Sequence, residues 1–524
     1  MIVWSQPAFS EIKGKCPVCS AEKNHTTVLA VDNLFEAGNQ LHFSRCSACG
    51  SLFVRKGKLF EYTDNSAIGD EHLLHYLHVG AGIDSMVRPL DRVSRQRGES
   101  LLDVGCGFGF TLDYWKTMTG GRAVGIEPSG YGKMGSAQLG VEIYNQYLDE
   151  VSDLRGERFD IVYSSEVIEH VSDPTAFLQE MRARLSGNGI LVLTTPNADY
   201  VNREASPIVL LAALSPGLHK FLFSAKALQK LLLDVGFLRV RVEVHRERLV
   251  AFASEQRLEI DDEKKSRSKY MKYLEKRVED SALPVNLRLG LAFRVFKELV
   301  NDGKMKEGNR YRDIYAKATA QAIGLDALNG RRCLNAAKET VNFITYFKHL
   351  PYCQGAFLFY LAMHARHSEK SYQDAARLFE AAAFILSESV KLAPEHFQEA
   401  ATLVWLARFE CGNALLAAGD RDVAIKCFDN IIQQPEESLY NLESDKLVQL
   451  RSCLQRAIAN LQLGKVEEAR ADLTKVKASN KAPSWLQDEI KKLEIAEPTI
   501  KEFRKSKPGF WNALLKQKTQ VRNF

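Results

Sequence analysis

Between Leu101 and Phe252 the apolar residues fall into short blocks with helical stretches between them. Leu101, Leu102 and Val104 predict a buried strand, and Ala123–Ile126, Val141–Tyr144, Arg158–Ser165 and Ile190–Asn197 repeat the pattern with many β-branched residues. Phe177, Leu178, Met181 and Leu185 recur at 3.6-residue spacing, so a helix is expected there, stopped by Gly187-Asn188-Gly189. After an insertion, Ser224 opens a second helix through Leu228, Leu231, Leu232 and Leu233, closing at Gly236-Phe237. Val240, Val242 and Val244, followed by Leu249 to Phe252, predict a terminal antiparallel hairpin. Strands alternating with helices give an α/β chain with a doubly wound sheet. Glu71 to Val93 reads as helical with a break at Gly80-Ala81-Gly82; Asp262 to Lys276 reads as a solvated helix, with Pro284 a further break.

From about residue 310 the pattern is almost wholly helical. Gly412 to Asp420, then Ala424, Ile425, Phe428 and Pro435, resembles a tetratricopeptide unit, and Ala457, Leu461, Leu463, Gly464, Glu468, Ala469 and Leu473 repeat it. Tyr372, Ala375, Ala376 and Phe379 suggest an earlier copy. Ala424 and Ala469 lie 45 residues apart, more than the usual repeat of about 34. The expectation is an all-α helical-repeat domain that docks a protein partner or mediates self-association.

At 524 residues the chain needs several cores. Its net charge of +5 is small for that length and does not call for nucleic acid. Met1 to Phe9 contains Pro7 and no long apolar run, so a cytoplasmic chain is expected. In that compartment the ten cysteines read as metal ligands or reduced core residues. Cys16-Pro17-Val18-Cys19 and Cys46-Ser47-Ala48-Cys49 are two matched knuckles, and together they supply four thiolates for one tetrahedral zinc. Thr26–Val31 and Leu41–Arg45 read as the short strands of a zinc ribbon, with the ion structural because no position stays open.

The glycines at 105, 107 and 109 follow the first strand, and Asp103 precedes them. An acid there would repel a pyrophosphate and suits a ligand with an ammonium group. About twenty residues on, Glu127 ends the second strand, where an acid suits two ribose hydroxyls. This combination resembles class I S-adenosylmethionine-dependent methyltransferases with a Rossmann-like core. The resemblance implies that Asp103, Gly105 and Gly107 meet the amino-acid part of the cofactor, with Cys106 as loop spacer. It also implies that Glu127 takes the ribose, that Gln146, Tyr147 and Leu148 line the adenine, and that Glu166 and Val167 sit next to the sulfonium. His72, His75 and His78 share one helical face; a helix capping the cofactor pocket is the preferred reading over a metal site.

Glu166-Val167-Ile168-Glu169-His170 follows the fourth strand, where doubly wound sheets place ligands, and helical spacing puts Glu166, Glu169 and His170 on one side of a first turn. The run resembles ubiquinone-type O-methyltransferases and small-RNA 2′-O-methyltransferases. His219, ahead of the last helix, stands where many relatives place a second histidine. The expected catalytic set is Glu166, Glu169, His170 and His219, either holding a Mg²⁺-like ion or acting as a metal-free base.

The resulting plan is a zinc ribbon over 10–58, a helical cap or connector over 59–97, a methyltransferase core over 98–255, a helical linker over 256–309, a tetratricopeptide-like domain over 310–500 and a basic tail over 501–524. The tail holds seven Lys/Arg and one Glu with Phe510 and Trp511, and is either loosely docked or a peripheral contact at the inner membrane face. A ribbon ahead of such a core resembles bacterial carbohydrate and surface-glycan methyltransferases. O-methylation of a sugar or glycan hydroxyl, in polysaccharide biosynthesis, is therefore the first expectation. Sugar C-methylation, O-methylation of a quinone or lipid, and RNA 2′-O-methylation are the alternatives. Nucleic acid is the least expected acceptor, because the core has no dense Lys/Arg cluster.

Overall fold

The computed structural model describes residues 2–4, 11–60, 70–79, 86–93, 99–394, 396–434, 443–479 and 482–500. Five strands come first: β1 (Ile2–Trp4), β2 (Glu11–Lys15), β3 (Glu22–Asp32), β4 (Gln40–Arg45) and β5 (Leu52–Lys56). Then β6 (Leu101–Val104), β7 (Ala123–Ile126), β8 (Glu142–Tyr144), β9 (Phe159–Ser165) and β10 (Leu185–Pro196) alternate with helices, and β11 (Phe221–Leu222), β12 (Arg239–His245) and β13 (Arg248–Ser254) follow. The helices of this part are α1 (Asp70–Val79), α2 (Arg88–Asp91), α3 (Phe110–Thr119), α4 (Gly130–Leu139), α5 (Pro174–Ala183), α6 (Pro207–Leu214), α7 (Ala225–Asp234) and α8 (Glu263–Val278).

The main sheet has the order β12-β13-β10-β9-β6-β7-β8. Its strands are parallel except β13, which runs antiparallel between β10 and β12. The chain winds outward from β6 in one direction through β7 and β8, then crosses to β9 and β10 on the other side. The carboxyl ends of β6 and β9 therefore flank the crevice where such sheets bind ligands. Local sequence sets the helix starts. Asp173 accepts from the N–H groups of Thr175 and Ala176 ahead of Pro174, and Ser224 accepts from Ala227.

Two local expectations change. Gly187-Asn188-Gly189 does not stop a helix: α5 ends at Ala183, and these residues lie inside β10, whose register on β9 slips between Leu185 and Ile190. Nor is α8 solvated all round. Tyr270, Tyr273, Leu274 and Val278 are buried, and Tyr273 Oη and Arg277 Nε donate to Asp113 Oδ2 on α3 at 2.7 and 2.9 Å. Its many charges hide an apolar stripe and one paired arginine.

The second sheet is larger than a two-strand ribbon. Its order is β1-β3-β4-β5-β11, with β2 also on β3. Phe221 pairs with Phe53 and Leu222 with Leu52, so a strand from the insertion after β10 closes the N-terminal sheet.

The chain divides into two compact units, Met1–Leu287 and Arg288–Phe524. The boundary falls inside the stretch expected as a linker, and the N-terminal sheet and the main sheet share the first unit. The remaining helices are α9 (Val285–Asn301), α10 (Met305–Ile323), α11 (Gly330–Glu339), α12 (Gln354–His364), α13 (Tyr372–Leu392), α14 (Gln398–Ala418), α15 (Arg421–Ile432), α16 (Glu443–Leu463), α17 (Val466–Ala478) and α18 (Ser484–Ile500). From α12 to α17 each packs on the next. Ala375, Ala376, Ala424, Ala457 and Ala469 are buried, and a Cβ at Gly412 would stand 2.5 Å from the Phe428 ring, so small residues set the close approach of α14 and α15. Pro435, the break at residues 80–82 and the basic tail 501–524 lie outside the described residues. No helix among the described residues is long and apolar enough to cross a membrane.

Candidate active site

The glycine loop joins β6 to α3. Gly105, Gly107 and Gly109 all have positive φ, at 79°, 53° and 83°. A Cβ at 105 would collide with Val167, whereas at 107 only the Tyr76 hydroxyl comes near, at 3.5 Å. The first glycine thus lets the loop close on the end of β9, and the second leaves an open cradle. Gly105 and Cys106 donate to the Ile126 carbonyl, locking the loop to β7. Cys106 is a buried spacer lying against Gly125.

Asp103 is buried at the end of β6. One carboxylate oxygen accepts from Thr111, and the other, Oδ1, is buried with no hydrogen-bond partner. Burial pushes its carboxyl up to about 7. A buried oxygen without a donor costs free energy until a donor arrives, and a ligand ammonium would satisfy it. Glu127 Oε2 accepts from Gly107 N–H at 2.9 Å and Oε1 from Ser129 N–H at 3.0 Å. These two bonds fix the carboxylate and leave a lone pair on each oxygen for a diol. Asp103, the cradle and Glu127 therefore fit S-adenosylmethionine. Gln146 and Tyr147 are exposed, whereas Leu148 is buried in the core.

Sequence reasoning did not single out Tyr76. On α1, it lies 5.8 Å from Phe110 and 5.4 Å from Tyr131, ring centre to ring centre, over the same loop. The signal was available as an aromatic on the face of the helix expected to cap the pocket. On that helix His72 is paired with Glu71 at 3.3 Å, and His75 and His78 are buried.

Beyond β9 the chain does not form the expected helical turn. Glu166 has φ 57°, and Ile168–His170 is a single 3-10 turn. A left-handed glutamate is strained and re-aims its own side chain. Glu166 accepts from Thr194 at 2.9 Å and stands 3.4 Å from Arg248 Nε. Its carboxylate is not part of the group that the other three form: ligand-type atoms of Glu169, His170 and His219 lie within 4.8 Å of one another.

Glu169 is fully buried; its Oε2 accepts from Thr195 at 3.0 Å, and its Oε1 has no hydrogen-bond partner and lies 3.8 Å from His219 Nε2. His170 Nδ1 donates to the Leu218 carbonyl at 3.2 Å and His219 Nδ1 to Ala213 at 2.8 Å. These bonds place the proton on Nδ1, and Nε2 of His219 keeps a lone pair facing Glu169. The rings meet edge to face with centres 4.7 Å apart. Burial lowers His170 to about 4, and burial with the neighbouring His170 lowers His219 to about 3. Burial, then the charge of Glu166, raises Glu169 well above its ordinary value. The group holds two neutral imidazoles and a carboxyl that burial and the charge of Glu166 keep protonated beyond its ordinary range. The chemistry of the set suits a divalent ion or an acceptor hydroxyl. Thr194, Thr195 and Arg248, which orient the acids, were missed because their partners are distant in sequence.

The two cysteine pairs converge as well. Cys16 and Cys49 sulfurs are 3.9 Å apart, Cys19 and Cys46 3.7 Å, and all four lie within 4.8 Å of one another. The hydrogen bond from Cys16 pulls Cys49 down to about 5, toward the thiolate that binds metal. Four sulfurs at this spacing fit one tetrahedral zinc.

Residues 76–241 match the family model described as a methyltransferase domain. The chain carries a class I S-adenosylmethionine-dependent methyltransferase domain. The match begins at Tyr76 and ends within β12, so it takes in the cofactor loop, Glu127 and the Glu169–His170–His219 group. The methyltransferase domain is similar to the ubiquinone biosynthesis O-methyltransferase of Rhodopseudomonas palustris (strain TIE-1), at 32% identity over 139 residues, 25% of this chain and 54% of the relative. Its counterpart from Bradyrhizobium sp. (strain ORS 278) is 38% identical over 109 residues, 20% of this chain and 42% of the relative. The chain thus spans about half the length of these curated relatives. Among solved structures it is similar to a SAM-dependent methyltransferase from Aquifex aeolicus at 21% identity, covering 36% of this chain and 98% of that one with a TM-score of 0.29. Another from Mesorhizobium loti is 18% identical and covers 33% and 98%, with a TM-score of 0.28.

Proposed function

We propose that the protein transfers a methyl group from S-adenosylmethionine to a hydroxyl of a small-molecule acceptor. One observation carries the reading: His219 donates Nδ1–H to the Ala213 carbonyl, so its Nε2 lone pair faces, at 3.8 Å, the Glu169 oxygen that has no hydrogen-bond partner. When bound, S-adenosylmethionine supplies an activated methyl group. The chain's own part is to hold the cofactor ammonium at Asp103 and its ribose at Glu127, and to take the acceptor's proton at Glu169 or a histidine. Proximity of the two reactants is worth about 7–11 kcal/mol and the base roughly 10²–10⁴-fold. A divalent ion such as Mg²⁺ would be held by Glu169, His170 and His219, with Glu166 outside its ligand set.

The acceptor class we take first is a sugar or surface-glycan hydroxyl, because the cysteine-rich sheet is fused to the domain. A second reading, favoured by the curated relatives, is a ring hydroxyl of a quinone precursor. Radiolabelled cofactor, offered a panel of methyl hexopyranosides and catechols, separates them: label appears in one class. Label in neither overturns both.

We further read the cysteine group as a structural zinc site, and the α12–α17 array as a tetratricopeptide-like surface for a protein partner or a second copy. The cytoplasm, with peripheral membrane contact through the basic tail, is the proposed location. For zinc the expected result is one ion per chain by elemental analysis. Cys16→Ser should lower both the zinc content and the thermal midpoint, since a structural zinc contributes on the order of 10 kcal/mol to folding.

A further inference from the structure

We infer that the N-terminal sheet positions His219, and that Arg45 is the residue that ties the two together. This rests on the reading of Glu169, His170 and His219 as the reacting group. Among the described residues the sheet shares its apolar core with the insertion: Leu29, Phe43 and Leu52 are buried in one cluster with Leu210, Leu214 and Leu222. The same insertion carries His219, whose ring is held by the Ala213 carbonyl in the last turn of α6. Whatever holds α6 therefore sets where Nε2 of His219 points.

Backbone bonds extend this hold along the whole segment. Leu34 N–H donates to Pro216, Phe60 N–H to Gly217 and Val54 N–H to Lys220, while Lys220 N–H donates to the Glu169 carbonyl. Gly217 has φ 115°, and a Cβ there would stand 2.6 Å from Asn33 Oδ1 and 2.7 Å from the Phe35 ring. Asn33 in turn donates to Lys58 and accepts from Phe35, holding the two loops that clasp Gly217. Arg45 adds a side-chain bridge. One nitrogen donates to Gly50, beside the Cys46–Cys49 knuckle, at 3.0 Å, and the other to Ala198 and Val201, where the insertion begins, at 3.1 and 3.0 Å. Lys220 meets the reacting group through the Glu169 carbonyl, whereas Arg45 and Asn33 bond to backbone groups elsewhere. They are positioning residues, and a shift of about 1 Å in a reacting group can cost roughly 10²-fold.

The test uses the full chain and two variants, Arg45→Ala and Asn33→Ala, so that a folding defect in one does not stand alone. Diethyl pyrocarbonate labelling, resolved by peptide mass spectrometry, reads access to His219, which is 6% exposed. We expect His219 to label roughly tenfold faster in both variants, and Arg45→Lys to restore most of the protection. Affinity for S-adenosylmethionine should stay within about twofold, because Asp103 lies on β6 and Glu127 directly after β7, while kcat on the accepted hexopyranoside or catechol falls and KM for the cofactor stays unchanged. Unchanged His219 labelling in both variants, or labelling that rises only with loss of cofactor binding, overturns the inference. If His219→Ala leaves turnover intact, the reading of the reacting group fails, and the labelling rates still report separately whether the sheet holds His219.

Discussion

Glu169→Gln and His219→Ala each lower methyl transfer by roughly 10²–10⁴-fold while leaving cofactor affinity within about twofold. Gln keeps the hydrogen bond from Thr195 and the packing of Glu169 but cannot take a proton or ligate a hard ion through a charge. Losing the His219 imidazole opens the space facing Glu169 Oε1 and removes one of two neutral nitrogen bases. The pH dependence separates the groups. Glu169 stands well above its ordinary value through burial and the charge of Glu166, so it must lose a proton before it acts, and turnover rises with pH until it has done so. His170 and His219, lowered to about 4 and 3, are already neutral at higher pH and add no further limb. Glu166→Gln is expected to shift the Glu169 limb downward, since it removes the like charge. Steady-state rates from mildly acidic to mildly alkaline pH check all three. Full turnover in both Glu169→Gln and His219→Ala would remove the site.

Asp103→Asn gives the second large effect, and it acts in opposite directions on binding and stability. The Asp103 carboxyl is raised from 3.8 to about 7, so the folded cofactor-free protein holds a proton that the unfolded chain has already released. Stability therefore falls as pH rises through that window and levels off above about 7. A bound ammonium needs the ionised carboxylate. Below about pH 7 binding must first expel the proton, and affinity falls by up to about tenfold per pH unit. Asn removes both dependences. Affinity drops roughly 10- to 100-fold at pH 8, the worth of a charge-assisted hydrogen bond, while the thermal midpoint of the free protein rises at pH 8 and stays unchanged near pH 4. Calorimetric titration and thermal melts at both pH values test this. Affinity at pH 8 within twofold of the parent would show that Asp103 does not face the ammonium.

Much of this was legible in the residues because it is local. Strand blocks, the glycines at 105, 107 and 109, Asp103 before them and Glu127 after β7 are features of short windows whose geometry neighbouring residues enforce. The matched cysteine knuckles are local too, and two such pairs converge on one point in the fold. The place where the local rule misleads is Glu166. Helical spacing groups it with Glu169 and His170, but its left-handed backbone turns it to Thr194 and Arg248, on strands that the spacing rule cannot see.

What the sequence alone determines about this protein is its set of periods and ligand types: a doubly wound α/β core, a cofactor loop, four paired thiols and a long helical half. What only the tertiary structure decides is which distant groups meet. Glu169 finds Thr195 and His219, Asp113 finds Tyr273 and Arg277, and a two-residue strand at Phe221 completes the N-terminal sheet. A two-residue strand has no measurable period, and a histidine's role depends on what its other nitrogen meets. Those facts are set by long-range pairing and burial, because dielectric, tautomer and proton affinity belong to the packed site and not to the residue.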